Sequence, residues 1–344
     1  MNKNKSYAIL LFLILTQVIV SLARVPSNGS INPPNILFVF SDDHAWQSIG
    51  AYGGRLKEVA HTPHIDKLAS EGMLFRKCFV ANALCGPSRA AVLTGKYGHR
   101  NGVTWNKNTN FDGSQQTFPK MMRKNGYQTA IIGKWHLASV PTGFDYFDVM
   151  KGQGRYYNPF LQRGNAEGLQ DTRTVVGYNS DIVGDLTIEW LKNGRDKSKP
   201  FMLMSQFKAT HHGFCPGPDE YDLYDDIHIP EPDNLFDDFS YRGTAIREQT
   251  LTLYKNLSHS ILVGDPGELG KLNPDQRKAW DVYRSKFSKP FQAMNLNWND
   301  QNRELSRFKY QALLKNFLAS GAGIDKNVGR IRAFLQENDL ADNT

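Results

Sequence analysis

Cysteine is scarce. The 344 residues hold three, Cys78, Cys85 and Cys215, and so low and odd a count excludes a small scaffold stapled by disulfides. Cys78 and Cys215 are free to pair, but their spacing gives no reason to expect it. No internal repeat is present, which excludes solenoids and propellers, and there is no low-complexity tract. The formal charge is +7, from 41 Lys and Arg against 34 Asp and Glu. These cations are scattered rather than striped and carry no nucleic-acid motif, so a nucleic-acid partner is not expected. Beyond the N-terminal segment no apolar run is long enough to span a bilayer. What remains is ordinary globular composition, 40% hydrophobic and 22% charged, with length for one large domain or two.

Residues 1–23 read as a secretory signal. Lys3 and Lys5 form a basic start, an apolar core covers residues 8–20, and Ser21 and Ala23 are the small residues a signal peptidase reads. The segment predicts export to a periplasm or the outside of the cell, with no stable membrane insertion after cleavage. Residues 24–34 read as a linker, and residues 35–344 as the folded part.

Several apolar runs end in chemistry-bearing residues. Residues 35–41 form a continuous run of strand length, suited to burial on both faces of a parallel sheet. It leads into Asp42 and Asp43, two adjacent carboxylates that suit either a solvated turn or a hard cation. Residues 127–133 lead into Lys134-Trp135-His136, where alternation puts Lys134 and His136 on one side of an extended chain. Residues 200–207 precede Lys208-Ala209-Thr210-His211-His212, and residues 73–80 read as a further strand leading to Cys85. Pro87 suits a first helical position and Gly95 a helix stop, so Cys85 is placed at a helix N-terminus, which favours anions, with Arg89 one turn behind. Helices are also predicted from Thr62 as N-cap to Gly72, and over residues 118–125, 181–193, 244–259 and 304–320. Ile324, Val328, Ile331 and Leu335 recur at helical spacing as core contacts. Residues 143–157, rich in Gly and aromatics, read as a loop beside the site. The prediction is an α/β fold with a helix-flanked, largely parallel central sheet. Its strands deliver the polar clusters to one edge, where ligands bind in open α/β sheets.

Cys85-Gly86-Pro87-Ser88-Arg89, followed by Leu93-Thr94-Gly95, resembles the signature of the type I, formylglycine-dependent sulfatases. Thr62-Pro63-His64-Ile65-Asp66 with Leu68-Ala69, and Gly133-Lys134-Trp135-His136-Leu137, resemble further motifs of that family. The resemblance covers nearly all of residues 35–344 and implies an alkaline-phosphatase-like fold. It implies that a formylglycine-generating enzyme converts Cys85 to formylglycine (3-oxoalanine), whose hydrate attacks the sulfur of a sulfate ester. It also implies a calcium ion held by Asp42, Asp43 and the modified Cys85. Arg89 and Lys134 then stabilise the added charge, His211 protonates the leaving oxygen, and His136 takes a proton from the second hydroxyl so that inorganic sulfate is eliminated. Thr210 stands where relatives usually carry Pro, which leaves His212 as a rival to His211.

The family continues beyond a string like Leu340-Ala341-Asp342-Asn343-Thr344 with a strand bearing Ser-Asp-x-Gly, a further lysine and a smaller antiparallel subdomain. The resemblance therefore implies an incomplete chain, a fragment or early-terminated product, lacking the last strands and the C-terminal subdomain and exposing a sheet edge. Ser41-Asp42-Asp43-His44, Gly152-Gln153-Gly154 and Tyr156-Tyr157-Asn158 most resemble the N-acetylglucosamine-6-sulfatase and mucin-desulfating branch. That implies a sulfated carbohydrate substrate, with Arg100, Trp105, Arg155 and Tyr156 as candidate sugar contacts. Two alternatives stand beside it: a related phosphatase or phosphodiesterase, and an inactive sulfatase-like chain that at most binds sulfated glycans.

Overall fold

In the computed structural model of the chain, residues 33–107, 109–253 and 257–344 are described. The expected signal segment, and all but the end of the expected linker, lie outside the described residues. Six strands make one sheet: β1 (Ile36–Phe40), β2 (Gln128–Lys134), β3 (Tyr146–Met150), β4 (Phe160–Asn165), β5 (Gly168–Thr174) and β6 (Phe201–Gln206). Their spatial order is β1-β6-β2-β3-β4-β5. β1, β6, β2 and β3 are parallel, and β4 and β5 add an antiparallel hairpin at the far side.

The apolar runs are continuous because the central strands are covered on both faces. Every residue of β6 is buried, and alternation divides the side chains between two layers. On one face, Ile132 and Leu203 pack with Val183, Trp190, Ile324 and Ile331, drawn from helices α4 (Asn179–Glu189) and α6 (Arg303–Glu337) and the turn between α4 and β6. On the other, Ile131, Met202 and Met204 pack with Ala90, Leu93 and Phe147, beneath α2 (Cys85–Thr94) and α3 (Phe118–Lys124). The register sets Phe40 beside Gln206 and Gln206 beside Gly133. The residues that follow these three therefore leave the sheet at one edge and one height.

Helix α1 (Pro63–Glu71) starts where expected, but its cap comes from far away. The Asp325 carboxylate of α6 accepts the N–H groups of His64 at 3.2 Å and Ile65 at 2.8 Å. The Thr62 hydroxyl is used elsewhere, accepting Gly50 N–H at 2.9 Å and donating to Asp66 at 3.1 Å.

Four expectations are corrected. Residues 73–80 form no strand: Met73, Phe75, Phe79 and Val80 are exposed, and among the described residues no strand lies alongside to complete a ladder. Residues 143–157 are not all loop, because Tyr146–Met150 forms β3 and completes the parallel part of the sheet. The helix expected over 244–259 is, among the described residues, only the five-residue helix Thr244–Glu248. The segments 304–320 and 324–335 join into the single 35-residue α6, whose Ala319–Gly323 stretch is small enough to pass under the site. A further helix, α5 (Pro274–Ala293), is oriented by Asn273, which forms a capping box with Gln276. Among the described residues β1 has a strand on one side only, and Asn35 N–H donates instead to the Asn343 carbonyl at 2.7 Å.

Candidate active site

Helix α2 begins at Cys85 itself, two residues earlier than the sequence suggested. Pro87 is tolerated there because N–H groups of a first turn have no partner within the helix. Gly95 ends the helix in the left-handed region, with φ of 66°. The Gly86 N–H is not free for an anion: the side-chain oxygen of Asn106 accepts it at 3.0 Å. This hydrogen bond ties the start of α2 to the 104–107 loop.

Arg89 lies one turn along α2 and is 4% exposed. Its Nη1 donates to the Lys134 carbonyl at 2.7 Å and also to Gln206 Oε1, and its Nη2 stands 3.4 Å from Asp42 Oδ2. The guanidinium also sits over the Phe40 ring, 5.2 Å from its centroid. One arginine thus locks α2 to the ends of β1, β2 and β6. Lys134, fully buried, pairs with the Asp42 carboxylate and donates to Gln153 Oε1 at 2.7 Å.

The charges shift one another. Burial pushes the Asp42 carboxyl up, but Lys134 and Arg89 outweigh it and hold it below its usual range. Asp43 goes the other way, raised by burial and by the Asp42 charge. Burial, with Lys208 and Arg89 nearby, lowers Lys134 to about 8 against the pull of Asp42. The Cys85 thiol is raised by burial foremost and by Asp42 and Asp43, against Lys134. An unmodified thiol in this setting stays protonated near neutrality and is a poor nucleophile.

The structure brings three of the sequence-predicted residues to one point, and Asp43, expected as a metal ligand, is not part of that group. The ligand atoms of Asp42, Cys85 and His211 all lie within 4.8 Å of one another. Asp43 is held at a left-handed φ of 58°, with its carbonyl accepting the Thr210 hydroxyl at 3.0 Å. His136 is buried beside Lys134 with no hydrogen-bond partner on Nδ1. His212 turns away, into a largely apolar pocket of about 390 Å³ that it shares with Phe214, Leu251, Leu257, Ile261 and Leu313. His211 is therefore the histidine at the site. Of the sugar-contact candidates, Arg100 and Trp105 are exposed and Arg155 is half-buried. Tyr156 is 1% exposed, so its ring is a core group and not a sugar platform.

Sequence reasoning missed Asn106, Gln153, Gln206 and Lys208 as site residues. Gln206 and Lys208 end a strand whose carboxyl end was already known to face the site, so position alone marked them. Nothing local marked Asn106 or singled out Gln153 as a partner of Lys134.

Three histidines give a pH signature. Burial lowers His44, His136 and His211 to about 4, aided at His136 by Lys134 and Arg89 and at His211 by Lys134 and Lys208. The unfolded chain takes up these protons from about pH 6.5 downwards, the native chain only near 4. Their stabilising contribution is therefore complete above pH 6.5 and lost as pH falls through 4. In chelator, the urea midpoint is expected to drop between pH 7 and 4.5, His44 alone contributing on the order of 1–3 kcal/mol. His44→Phe, which preserves the edge contact with Phe317, should flatten part of that slope. A slope identical to wild type would show that His44 is not buried in its neutral form.

The chain is 37% identical to an N-acetylglucosamine-6-O-sulfatase of Bacteroides thetaiotaomicron, over 96% of this chain and 60% of that protein. It is 39% identical to the human N-acetylgalactosamine-6-sulfatase over 54% of this chain and 41% of that one. A solved structure in complex with its substrate D-glucosamine-2-N,6-O-disulfate superposes with a TM-score of 0.80 at 37% identity, covering 91% of this chain and 64% of the other. The chain thus spans about 60% of the length of the bacterial relative. The sulfatase family profile matches residues 34–344, and with Asp42, Lys134 and His211 beyond the strand ends and Cys85 at the start of α2, the chain belongs to the sulfatase family.

Proposed function

We propose that this chain hydrolyses sulfate esters of glycans and releases inorganic sulfate, with 6-O-sulfated N-acetylglucosamine or a related sulfated amino sugar as substrate. The observation that carries the reading is the convergence of Asp42, Cys85 and His211 within 4.8 Å, flanked by two buried cations. An anion entering this space meets Lys134 and Arg89, whose donors are fixed by other contacts before it arrives; such preorganised charge stabilises developing negative charge. His211 and His136 are both neutral near pH 7. Neutral His211 is assigned to taking the proton released by the attacking hydroxyl and passing it to the leaving oxygen, and His136 to accepting a proton from the second hydroxyl at its bare Nδ1.

Calcium fits the donor set. Asp42 and Asp43 offer adjacent carboxylates, and Asp42 is buried with the Lys134 and Arg89 cations on its Oδ2. Calcium takes oxygen ligands, so Cys85 joins the set only once its sulfur is replaced by oxygen, as in formylglycine. Bound there, the ion would act as a Lewis acid on a sulfate oxygen, and the hydrated aldehyde would supply the attacking hydroxyl. A formylglycine-generating enzyme is thus a required partner. Residues 1–23 are assigned to export and residues 35–344 to the sulfatase catalytic fold.

The test is to co-produce the chain with a formylglycine-generating enzyme and assay it in calcium on 6-O-sulfated N-acetylglucosamine, an aryl sulfate and an aryl phosphate. Sulfate release that chelator removes and calcium restores is expected. Preferential phosphate release, or sugar binding without sulfate release, would overturn the reading.

A further inference from the structure

The loop after β3 carries two residues that the proposed chemistry leaves without a role, Gln153 and Tyr156. Gln153 Oε1 accepts Lys134 Nζ at 2.7 Å. The Tyr156 hydroxyl, from a buried ring, donates to the backbone carbonyl of His211 at 2.5 Å. Lys208 reaches the same loop from the end of β6 and is 4% exposed. Its Nζ donates to the Gln153 carbonyl at 3.4 Å and lies 4.9 Å from the centroid of the Tyr156 ring. The loop backbone is gripped from its other side. Both carboxylate oxygens of Glu268 accept Tyr156 N–H at 3.0 Å, and Asn179 donates its N–H to the Tyr156 carbonyl at 2.7 Å and its side-chain amide to the Arg155 carbonyl at 2.8 Å.

We propose that residues 152–158 form a brace in which Gln153 and Tyr156 are positioning residues, one for Lys134 and the other for His211, with Lys208 pinning the brace. Lys134 needs such a partner. Its ammonium is a point charge on a flexible four-carbon stem, and Asp42 is within reach to neutralise it. A neutral amide oxygen opposite Asp42 gives the ammonium a second fixed partner without cancelling its charge, so the cation stays available to an anion. At His211 the backbone is held instead, which fixes the point from which the ring projects. Both anchors lie on one loop, so the two groups keep a constant separation across a bound ester. Misplacing such groups costs turnover more than affinity.

The test uses Gln153→Leu, Gln153→Glu, Tyr156→Phe and Lys208→Met. Gln153 is exposed, so its replacement opens no core, and Tyr156→Phe preserves the ring. Its kinetic arm rests on the sulfatase reading. Gln153→Leu and Tyr156→Phe should lower kcat about 10–100-fold with KM within about threefold of wild type, and Lys208→Met should lower kcat in the same direction. Gln153→Glu, which keeps the acceptor but adds the negative charge that neutralises Lys134, should stay about as impaired as Gln153→Leu, and full recovery in it would overturn the argument from a neutral partner. Unchanged kcat, or a loss in KM alone, overturns the brace. A second arm needs no turnover: amide exchange at residues 211–214 should be at least about tenfold faster in Tyr156→Phe than in wild type. If the wild-type chain releases no sulfate, the sulfatase reading fails on its own, and the exchange result alone decides the brace, unchanged protection overturning it.

Discussion

Cys85→Ser is expected to leave the chain folded and to lower sulfate release by at least about 10,000-fold, the scale on which loss of a nucleophile is felt. Cys85 is half-buried at the first turn of α2, with its thiol raised by burial and by the two neighbouring aspartates. A thiolate is thus disfavoured where the reaction needs a nucleophile. A serine hydroxyl in the same place would gain a sulfate ester and hold it, since it has no second hydroxyl through which to expel the sulfate. On the proposed sulfatase mechanism the oxidised side chain is needed, and Ser in its place is expected to stop at the ester. Ion chromatography of released sulfate and a thermal unfolding curve check both halves of the prediction. Mass analysis of the Cys85 peptide from the active protein should show the CH₂SH group replaced by an aldehyde. Turnover in Cys85→Ser within tenfold of wild type would remove Cys85 from the mechanism.

Asp42→Asn should be the most destabilising single change at the site as well as an inactivating one. Asp42 is 6% exposed and pairs with Lys134, fully buried, and with Arg89, 4% exposed. Removing the carboxylate charge leaves two desolvated cations with no counter-charge in contact. Breaking a buried pair from one side costs about 3–5 kcal/mol. The sign of its pH dependence follows from Lys134, already lowered to about 8. Without Asp42 its native value falls further, and a lowered native value means stability lost as pH falls through it. The deficit of Asp42→Asn relative to wild type should therefore deepen as pH drops below about 8. Urea denaturation in chelator at pH 9, 8 and 7 measures it. A deficit that does not change with pH would mean that Lys134 does not depend on Asp42 for its charge.

The two variants probe different links. Cys85→Ser tests chemistry and spares the packing. Asp42→Asn tests the electrostatic frame that holds Lys134 and Arg89 in readiness, and it should also remove calcium-dependent stabilisation if Asp42 is, as proposed, one of the hard oxygen donors.

Much of this site was legible along the chain because its residues sit at strand ends. β1, β2 and β6 are continuous apolar runs, and each is followed at once by polar residues with no reason to be in a core. The rule that ligands lie beyond the carboxyl ends of such strands placed Asp42, Lys134, His136 and His211 together, and the Cys85 string carried the resemblance. Strand calling failed where periodicity had no partner to act on. Residues 73–80 have strand-like composition but, among the described residues, no strand alongside, whereas Tyr146–Met150, hidden in a glycine-rich stretch, becomes a strand because β2 is already there. Strand formation depends on a neighbour as much as on propensity.

The amino-acid sequence by itself determined the α/β character of this protein, the burial of its central strands and the reactive groups at their ends, because each is written in residues that adjoin one another. Only the tertiary structure decided how those groups are held. Arg89 finds its partners 45 and 117 residues away, Asn106 caps the Cys85 helix from 20 residues on, and Tyr156 reaches His211 across 55. No local pattern encodes such pairs, since they arise where separate elements meet, and the energy of a buried charge or donor depends on what the rest of the fold sets against it.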